Sequence, residues 1–340
     1  MAKPLCGVFL SIVLSTCLPP VNGFSSETED TSTDSRTSHT LYVSKLGDNS
    51  DGGSWKTAYN TIQSALSNVA NDQGGHKIIV RPGTYAEANL APKHKGAAGA
   101  YNMLIGDFDG SLGSGSKGWV TIDSGDPEMG FKSWDWWCTI RSSDEHWPHG
   151  NNEETFSSII WDRWKFCNLY VTGADGGLFF DLTDKSGEGF TVVIEDCVGI
   201  GRAFGGGVVY PRVRPEEPSI FRRSYFLALD WVGDTAAFLV GGREQTMPDH
   251  PHVIVEDCTL VHSDNALAMS YASDCARVRL IDSRLIVLNF TQPEMGGQST
   301  GILCTQGHKE TGRLHVDIED CKMAGYSVFT TGPDSKAISY

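Results

Sequence analysis

The chain contains no uninterrupted apolar stretch long enough to cross a membrane. The apolar run from Leu5 to Leu18 is shorter than the ~20 residues that a membrane-spanning helix needs. It follows Lys3 and precedes the small-residue sequence Val21-Asn22-Gly23, which is the pattern of a cleaved export signal. We therefore expect no membrane span, and a secreted, periplasmic or cell-surface location.

Positive charge is also scarce, since 27 Lys and Arg stand against 42 Asp and Glu. Such an acidic surface repels phosphate backbones, so we expect no nucleic-acid partner. No GxxxxGK[ST] loop is present, and the one GxGxxG match, Gly113 to Gly118, leads into a strand-like segment and is predicted to be a flexible loop. No two cysteines have CxxC spacing, so a zinc site has no support.

Composition divides the chain into three segments. Residues 1–23 are predicted to be the signal peptide, and residues 24–40 a flexible acidic linker, because Ser, Thr and acids dominate there and almost nothing apolar could be buried. Residues 41–340 form the predicted domain. A domain of about 300 residues is long for one compact core but suits a solenoid, whose core grows with each added repeat.

The domain begins with a strand, Leu41-Tyr42-Val43, followed by an amphipathic helix from about Thr57 to Val69 and a second strand, Lys77 to Arg81. A single short helix ahead of many strands is typical of a cap. We expect it to cover the open apolar end of the first repeat.

The remaining sequence repeats. Six similar segments end at residues whose spacings are 30, 27, 34, 25 and 38; these end residues are Cys167, Cys197, Ser224, Cys258, Ser283 and Cys321. A second series of apolar strands alternates with them, at 177–180, 207–210, 236–240, 266–269, 301–304 and 326–329. Two strands in fixed order in each of six turns predict an all-β parallel solenoid rather than a propeller, whose blades need about four strands each.

The entry segment resembles a known superfamily. Leu41-Tyr42-Val43-Ser44, Thr61-Ile62-Gln63-Ser64-Ala65 and the stretch from Ile79 to Glu87 resemble the first turn of the pectin-lyase-like superfamily. The resemblance implies a single-stranded right-handed parallel β-helix with a short N-terminal capping helix. It does not imply one activity, because the superfamily holds lyases, hydrolases, epimerases and adhesins.

Two columns of side chains follow from this stacking. Cys167, Cys197, Cys258 and Cys321, with Ser224 and Ser283 in two turns, are predicted to form an inward ladder of small side chains with free thiols. The preceding residues place Arg222-Arg223 between Glu195-Asp196 and Glu256-Asp257, which predicts a charge ladder on an outer corner. Ca²⁺ binding by these acids is the alternative, although the two arginines oppose it.

Six tryptophans fall within one short stretch: Trp134, Trp136, Trp137, Trp147, Trp161 and Trp164. Large rings most often fill a core, so core packing is the preferred interpretation. Any exposed member of the group would instead offer a face to a sugar ring.

Polar residues that follow the second strand series are the candidate site, because strand ends of successive turns meet on one face. They are Asp181, Asp184, Tyr210, Arg212, Arg214, Arg243, Tyr271, His308 and Lys309. Five arginines lie between Arg202 and Arg223 against two acids, Glu216 and Glu217. Such a positive strip on an acidic protein favours an anionic polysaccharide whose carboxylates pair with guanidinium groups.

The resemblance implies roles for some of these residues. In β-helix lyases an Arg or Lys commonly acts as the base, and Ca²⁺ or further basic residues neutralise the uronate carboxylate. Arg212 and Arg214 are the candidates for these parts, with Tyr210 or His308 as proton donor and Asp181, Asp184, Arg243, Tyr271 and Lys309 as substrate-binding residues. No cofactor is otherwise indicated, and Ca²⁺ stays open.

Several enzyme motifs are missing. The Trp-x-x-Asp-His of pectate lyases and the Asp-Asp with Gly-His-Gly of polygalacturonases do not occur. Because the two positioned carboxylates that glycoside hydrolysis requires cannot be singled out either, lyase chemistry is favoured over hydrolysis without being required. A non-catalytic surface or scaffold protein that binds glycans or proteins is the alternative. No capping helix is apparent near Tyr340, so we expect either association through the C-terminal end of the coil, a short polar cover from Gly332 to Tyr340, or a truncated reading frame.

Overall fold

A computed structural model of the protein describes residues 38–87, 90–123, 140–141, 161–172, 180–183, 190–201, 205–210, 214, 217–228, 236–240, 246–262, 265–268, 275–288, 300–303, 313–324, 327–330 and 336–339. These residues form one short helix and 25 strands in three parallel sheets. The predicted signal peptide and almost all of the predicted linker lie outside the described residues, so both stay predictions.

The strands are distributed over the three sheets in a regular order. Sheet A contains β1 (Thr40–Val43), β2 (Lys77–Val80), β4 (Asn102–Gly106), β7 (Trp164–Cys167), β10 (Val192–Glu195), β13 (Ser219–Arg222), β16 (Val253–Glu256), β19 (Cys275–Ile281), β22 (Arg313–Glu319) and β25 (Lys336–Ser339). Sheet B contains β3 (Gly83–Tyr85), β5 (Val120–Asp123), β8 (Leu169–Thr172), β11 (Val198–Gly201), β14 (Tyr225–Ala228), β17 (Thr259–His262), β20 (Arg284–Val287) and β23 (Lys322–Ala324). Sheet C contains β6 (Ile140–Arg141), β9 (Phe180–Thr183), β12 (Gly205–Tyr210), β15 (Ala236–Val240), β18 (Asn265–Ala268), β21 (Thr300–Leu303) and β24 (Ser327–Thr330).

The chain forms a coil because consecutive strands enter sheets A, B and C in turn. From β7 to β22 each strand therefore pairs in parallel with the strand three places later, as β7 does with β10 and β8 with β11. This is the parallel solenoid that the two strand series predict. The sequence did not predict the sheet B strand of each turn, because from β7 onward only one or two residues separate that strand from the sheet A strand before it.

The core consists of columns of inward side chains, one from each turn. In sheet A one column is fully or almost fully buried along its length: Phe166, Ile194, Phe221, Val255, Leu280 and Ile318. Each turn can bury its residue only against the turns before and after it, and each such burial contributes about 1.5 to 3 kcal/mol. Trp161 and Trp164 are also completely buried, so core packing is confirmed for these two; Trp134, Trp136, Trp137 and Trp147 lie outside the described residues.

The predicted helix is present but shorter than expected. Helix α1 spans Ile62–Ser67, with Thr61 as its N-cap and with the Glu87 carboxylate accepting hydrogen bonds from the first two amides at 2.7 and 2.9 Å. The predicted start at Thr57 is wrong because Tyr59 instead forms a bridge with the first strand, donating its N–H to Tyr42. Ile62 packs into the core. The capping role of α1 stays a prediction. Helix α1 is six residues long. No helix in the described part of the chain could span a membrane.

A left-handed residue turns the chain from sheet A into sheet B in every turn from β7 onward. The residues are Asn168, Asp196, Arg223, Asp257, Asp282 and Asp320, with φ between 47° and 56°. Asn and Asp adopt this conformation more readily than other non-glycine residues, which explains five of the six positions. The corner is therefore encoded locally, by an Asn or Asp at one place in five of these six turns.

The predicted Cys/Ser column is confirmed for five of its six members. Cys197, Ser224, Cys258, Ser283 and Cys321 follow the left-handed residue in consecutive turns and are joined by backbone hydrogen bonds, such as Thr259 N–H to the Ser224 carbonyl at 2.9 Å. Assigning Cys167 to this column was wrong. It pairs in register with Glu195 and precedes the left-handed Asn168, so Leu169 stands at the column position in that turn.

The column side chains act as internal caps. Each hydroxyl or thiol donates to the carbonyl two residues before it, as Ser283 Oγ does to Ile281 at 2.8 Å and Cys258 Sγ does to Glu256 at 3.3 Å. Each serine hydroxyl also accepts the N–H of the preceding turn's cysteine, at 3.1 Å for both Ser224 and Ser283. Cys167, Cys197, Cys258 and Cys321 are free thiols, as predicted, and burial raises the pKa of Cys258 to about 12. The hydrogen bonds of the column give it a structural role.

We predict that Ser283→Ala destabilises the fold by about 1 to 2 kcal/mol, because the buried Cys258 N–H loses its acceptor. Urea unfolding followed by circular dichroism measures the loss. Ser283→Cys, which keeps a small polar group like that of the neighbouring turns, should lose less. Equal stability of Ser283→Ala and wild type would contradict this role for the hydroxyl.

His262 should make stability depend on pH. Its side chain is fully buried at the end of β17, and burial lowers its pKa to about 3. The unfolded chain, with a histidine pKa near ~6.5, takes up the proton first, so stability is lost as the pH falls from ~6.5 toward ~3, by up to about 1.4 kcal/mol per pH unit. Unfolding free energies between pH 7 and 4 should fall less steeply in His262→Gln than in wild type. Parallel curves would refute the assignment.

Candidate functional site

The backbone brings together the strands from which the candidate residues extend. Strands β9, β12, β15, β18 and β21 are consecutive neighbours in sheet C. Asp181 lies opposite Val208, and Tyr210 lies opposite Thr183, which is two residues beyond Asp181. Asp181 and Tyr210 therefore belong to adjacent turns of the same sheet.

The other candidates follow these strands in sequence. Asp184 comes directly after β9, Arg212 two residues after β12, and Arg243 and Tyr271 three residues after β15 and β18. His308 and Lys309 follow β21. All six lie outside the described residues, so their roles stay predictions.

Arg214 is the one candidate whose side chain is described, and it binds a protein carboxylate. Its two terminal nitrogens donate to the two oxygens of Asp162 at 2.7 and 3.0 Å. The Asp162 side chain is almost completely buried and also accepts the Thr191 N–H at 3.0 Å. A bidentate guanidinium that compensates a buried carboxylate has its hydrogen-bonding edge occupied. Arg214 therefore has a structural contact, and its catalytic role stays a prediction.

A second ion pair adjoins the first. Arg163, the residue after Asp162, donates to Glu217 at 3.1 and 2.8 Å and has a left-handed backbone with φ 56°. The pKa of the nearby Tyr101 hydroxyl is raised, mainly by burial and secondly by the negative charge of the Glu217 carboxylate. The two acids and two arginines of this group cancel in charge. Sequence reasoning missed Asp162, because no local signal links it to an arginine 52 residues later.

The predicted charge ladder is confirmed on one side. Arg222 Nε donates to Glu195 at 2.6 Å, and Arg223 donates to Asp196 at 2.8 and 2.7 Å, so both described pairs point to the preceding turn. Lys165 also pairs with Glu195. Burial alone would raise the Glu195 pKa, but the hydrogen bonds from Lys165 and Arg222 outweigh it and lower the pKa below its usual value. Glu195 is therefore a buried carboxylate held ionised by cations.

The predicted positive strip is largely compensated where its side chains are described. Of its five arginines, Arg214, Arg222 and Arg223 pair with acids, while Arg202 and Arg212 lie outside the described residues. Within the described ranges no group of three or more His, Cys, Asp or Glu is arranged to hold a metal ion. Glu195 and Asp196, two of the four acids considered for Ca²⁺, contact arginines.

Comparison with solved structures supports the fold. The chain is similar to the pectate lyase Pel9A, with a TM-score of 0.55 and 14% identity over 83% of this chain and 62% of that chain. It is also similar to the pectin methylesterase PemA from Erwinia chrysanthemi, with a TM-score of 0.44 and 13% identity over 90% and 89% of the two chains. No family model and no curated protein sequence matches. The chain thus has the predicted right-handed parallel β-helix fold, and it spans 62% of the length of that pectate lyase.

Removing the buried arginine should affect stability strongly. We predict that Arg214→Ala costs about 3 kcal/mol, because the buried Asp162 carboxylate loses its bidentate partner. The matched control is Arg279→Ala, whose pair with Glu319 is nearly half exposed on both sides and should cost less than ~1 kcal/mol. Chemical denaturation of both variants measures the difference, and a similarly small loss in both would contradict the pairing.

Proposed function

We propose that the protein is exported and binds an acidic, uronate-containing polysaccharide along the sheet C side of the coil, cleaving it by β-elimination. The single observation that carries the proposal is the register of sheet C. It stacks the strands that lead to Asp184, Arg212, Arg243, Tyr271 and His308. A linear polysaccharide is a ligand that can contact side chains from several such turns at once.

The chemistry requires three groups. A cation near the uronate carboxylate makes the C–H group next to that carboxylate more acidic, and a base removes the proton from this carbon. The electron pair of that C–H bond forms a carbon–carbon double bond as the bond to the glycosidic oxygen breaks, and a proton donor supplies the leaving oxygen. We assign the base to Arg212, the donor to Tyr210 or His308, and carboxylate binding to Arg243 and Lys309. Arg214 is not needed for these parts, given its pairing with Asp162.

Export and the choice of polysaccharide have separate support. Export rests on the signal-like residues 1–23. The fold shared with a pectate lyase makes a pectin-type uronate polymer the first substrate to test. Sequence identity of 14% carries no catalytic residue across, so the assignments depend on this chain's own residues.

A non-catalytic glycan-binding or scaffold protein is the second candidate. It is favoured by the pairing of Arg214, Arg222 and Arg223 with protein acids, which leaves fewer cations for chemistry. The two candidates differ in whether the polymer is cut.

We predict that the full chain, incubated with polygalacturonate or alginate, produces the ultraviolet absorbance of unsaturated uronate ends. Arg212→Ala should lower the initial rate by at least about 100-fold, the typical contribution of a general base, whereas the exposed-arginine control Arg279→Ala should keep it. Retention in affinity gels without any absorbance change would favour the non-catalytic candidate. If the protein is not retained in the gel and no absorbance develops, the proposal is rejected.

A further inference from the structure

Exposed hydrophobic side chains concentrate on the loop that joins β4 of sheet A to β5 of sheet B. Five large hydrophobic side chains in the described part of the chain are well exposed, and three of them, Phe108, Leu112 and Trp119, come from residues 107–119. Phe108 is 41% and Trp119 39% exposed. Scattered single hydrophobics are normal on a surface, but clustered ones indicate a contact site.

Two of these rings continue into an aromatic row on sheet B. The Phe108 and Trp119 ring centroids are 4.7 Å apart, and those of Trp119 and Tyr170 are 6.4 Å apart. Tyr170 lies on β8 between the buried Leu169 and Val171, so its side chain faces outward. We call Phe108, Trp119 and Tyr170 the aromatic row. It runs across two successive turns, β5 and β8.

The loop that carries the row is held in place, although its glycines predicted a flexible segment. The buried Asp107 carboxylate accepts the N–H groups of Leu112 at 2.9 Å and Ser114 at 2.8 Å. Gly118 N–H donates to the Phe108 carbonyl at 2.8 Å, which fixes the two ends of the loop to each other. The rings are thus preorganised before any ligand arrives, which reduces the ordering cost of binding.

The size and chemistry of the row point to one kind of occupant. Aromatic side chains bury about 150 to 250 Å² each, so three partly exposed rings offer on the order of 250 Å². A stable protein partner needs about 800 Å² on each side. Ring faces carry partial negative charge, which complements the polarised C–H groups on the apolar face of a pyranose ring. Asp109 and Lys117 belong to the same loop and have polar groups able to form hydrogen bonds with a sugar.

We infer that the aromatic row is a second polysaccharide-binding site, which stacks on the pyranose rings of a chain and is separate from the proposed sheet C site. The inference rests on the proposed function only for the choice of an acidic polymer. The row contacts ring faces and not carboxylates, so it would also accept a neutral polymer.

The test is affinity electrophoresis of the full chain in gels containing polygalacturonate or neutral xylan. Trp119→Ala and Phe108→Ala should each weaken retardation by roughly five- to tenfold. Leu112→Ala is the matched control, because Leu112 is 40% exposed on the same loop but is not part of the row. Trp119→Phe keeps a ring and should restore most of the binding, and unchanged thermal unfolding of the variants excludes misfolding.

The outcomes separate this inference from the proposed function. If polygalacturonate retards both alanine variants as strongly as wild type, the aromatic row is not a binding site. The sheet C proposal is then unaffected. Retardation by xylan alone, lost in Trp119→Ala, supports the row and overturns the acidic-polymer proposal. An equal loss in Leu112→Ala would mean that the loop as a whole, and not its rings, is responsible. No retardation by either polymer overturns both.

Discussion

Pairing of each strand with the equivalent strand of the next turn is the interaction on which the rest of this structure depends. A single turn of three short strands has no interior of its own, because every inward side chain is exposed until another turn covers it. The hydrogen bonds along sheets A, B and C fix the register, and the register places Phe166, Ile194 and Phe221 in one buried column. Stability therefore accumulates with turns, and a change at one column position is felt mainly by its two neighbours.

The corner between sheets A and B shows how the sequence maintains this register. A left-handed Asn or Asp bends the chain from sheet A into sheet B. The next side chain then donates a second hydrogen bond to a carbonyl that also accepts an N–H of the preceding turn, as Ile281 does from Ser283 Oγ and from Asp257 N–H. Cys and Ser serve equally, because both are small and both can donate. Arg223 is the exception at the left-handed position, and its bidentate pair with Asp196 links it to the previous turn.

Several charged side chains in the described part of the chain are paired between turns. The buried carboxylate of Asp162 binds Arg214, and that of Glu195 binds Arg222 and Lys165. These ion pairs join different turns, so the cations stabilise the coil. A net charge of −15 then remains for the surface. An anionic polymer would have to be attracted locally, by the residues that follow the sheet C strands, while ring stacking at the aromatic row requires no charge at all.

The sequence alone predicts the parallel solenoid and the Cys/Ser column from Cys197 onward, because both depend on local patterns that repeat from turn to turn. It also predicts the helix near Ile62 from its own apolar periodicity. It misplaced Cys167, since the corner after β7 has one residue fewer before sheet B begins and only the register shows the offset. The partner of Arg214 and the contact of Trp119 with Tyr170 were decided by the tertiary structure alone. Those contacts join residues about 50 positions apart, and the loops that set such distances have no period in the sequence.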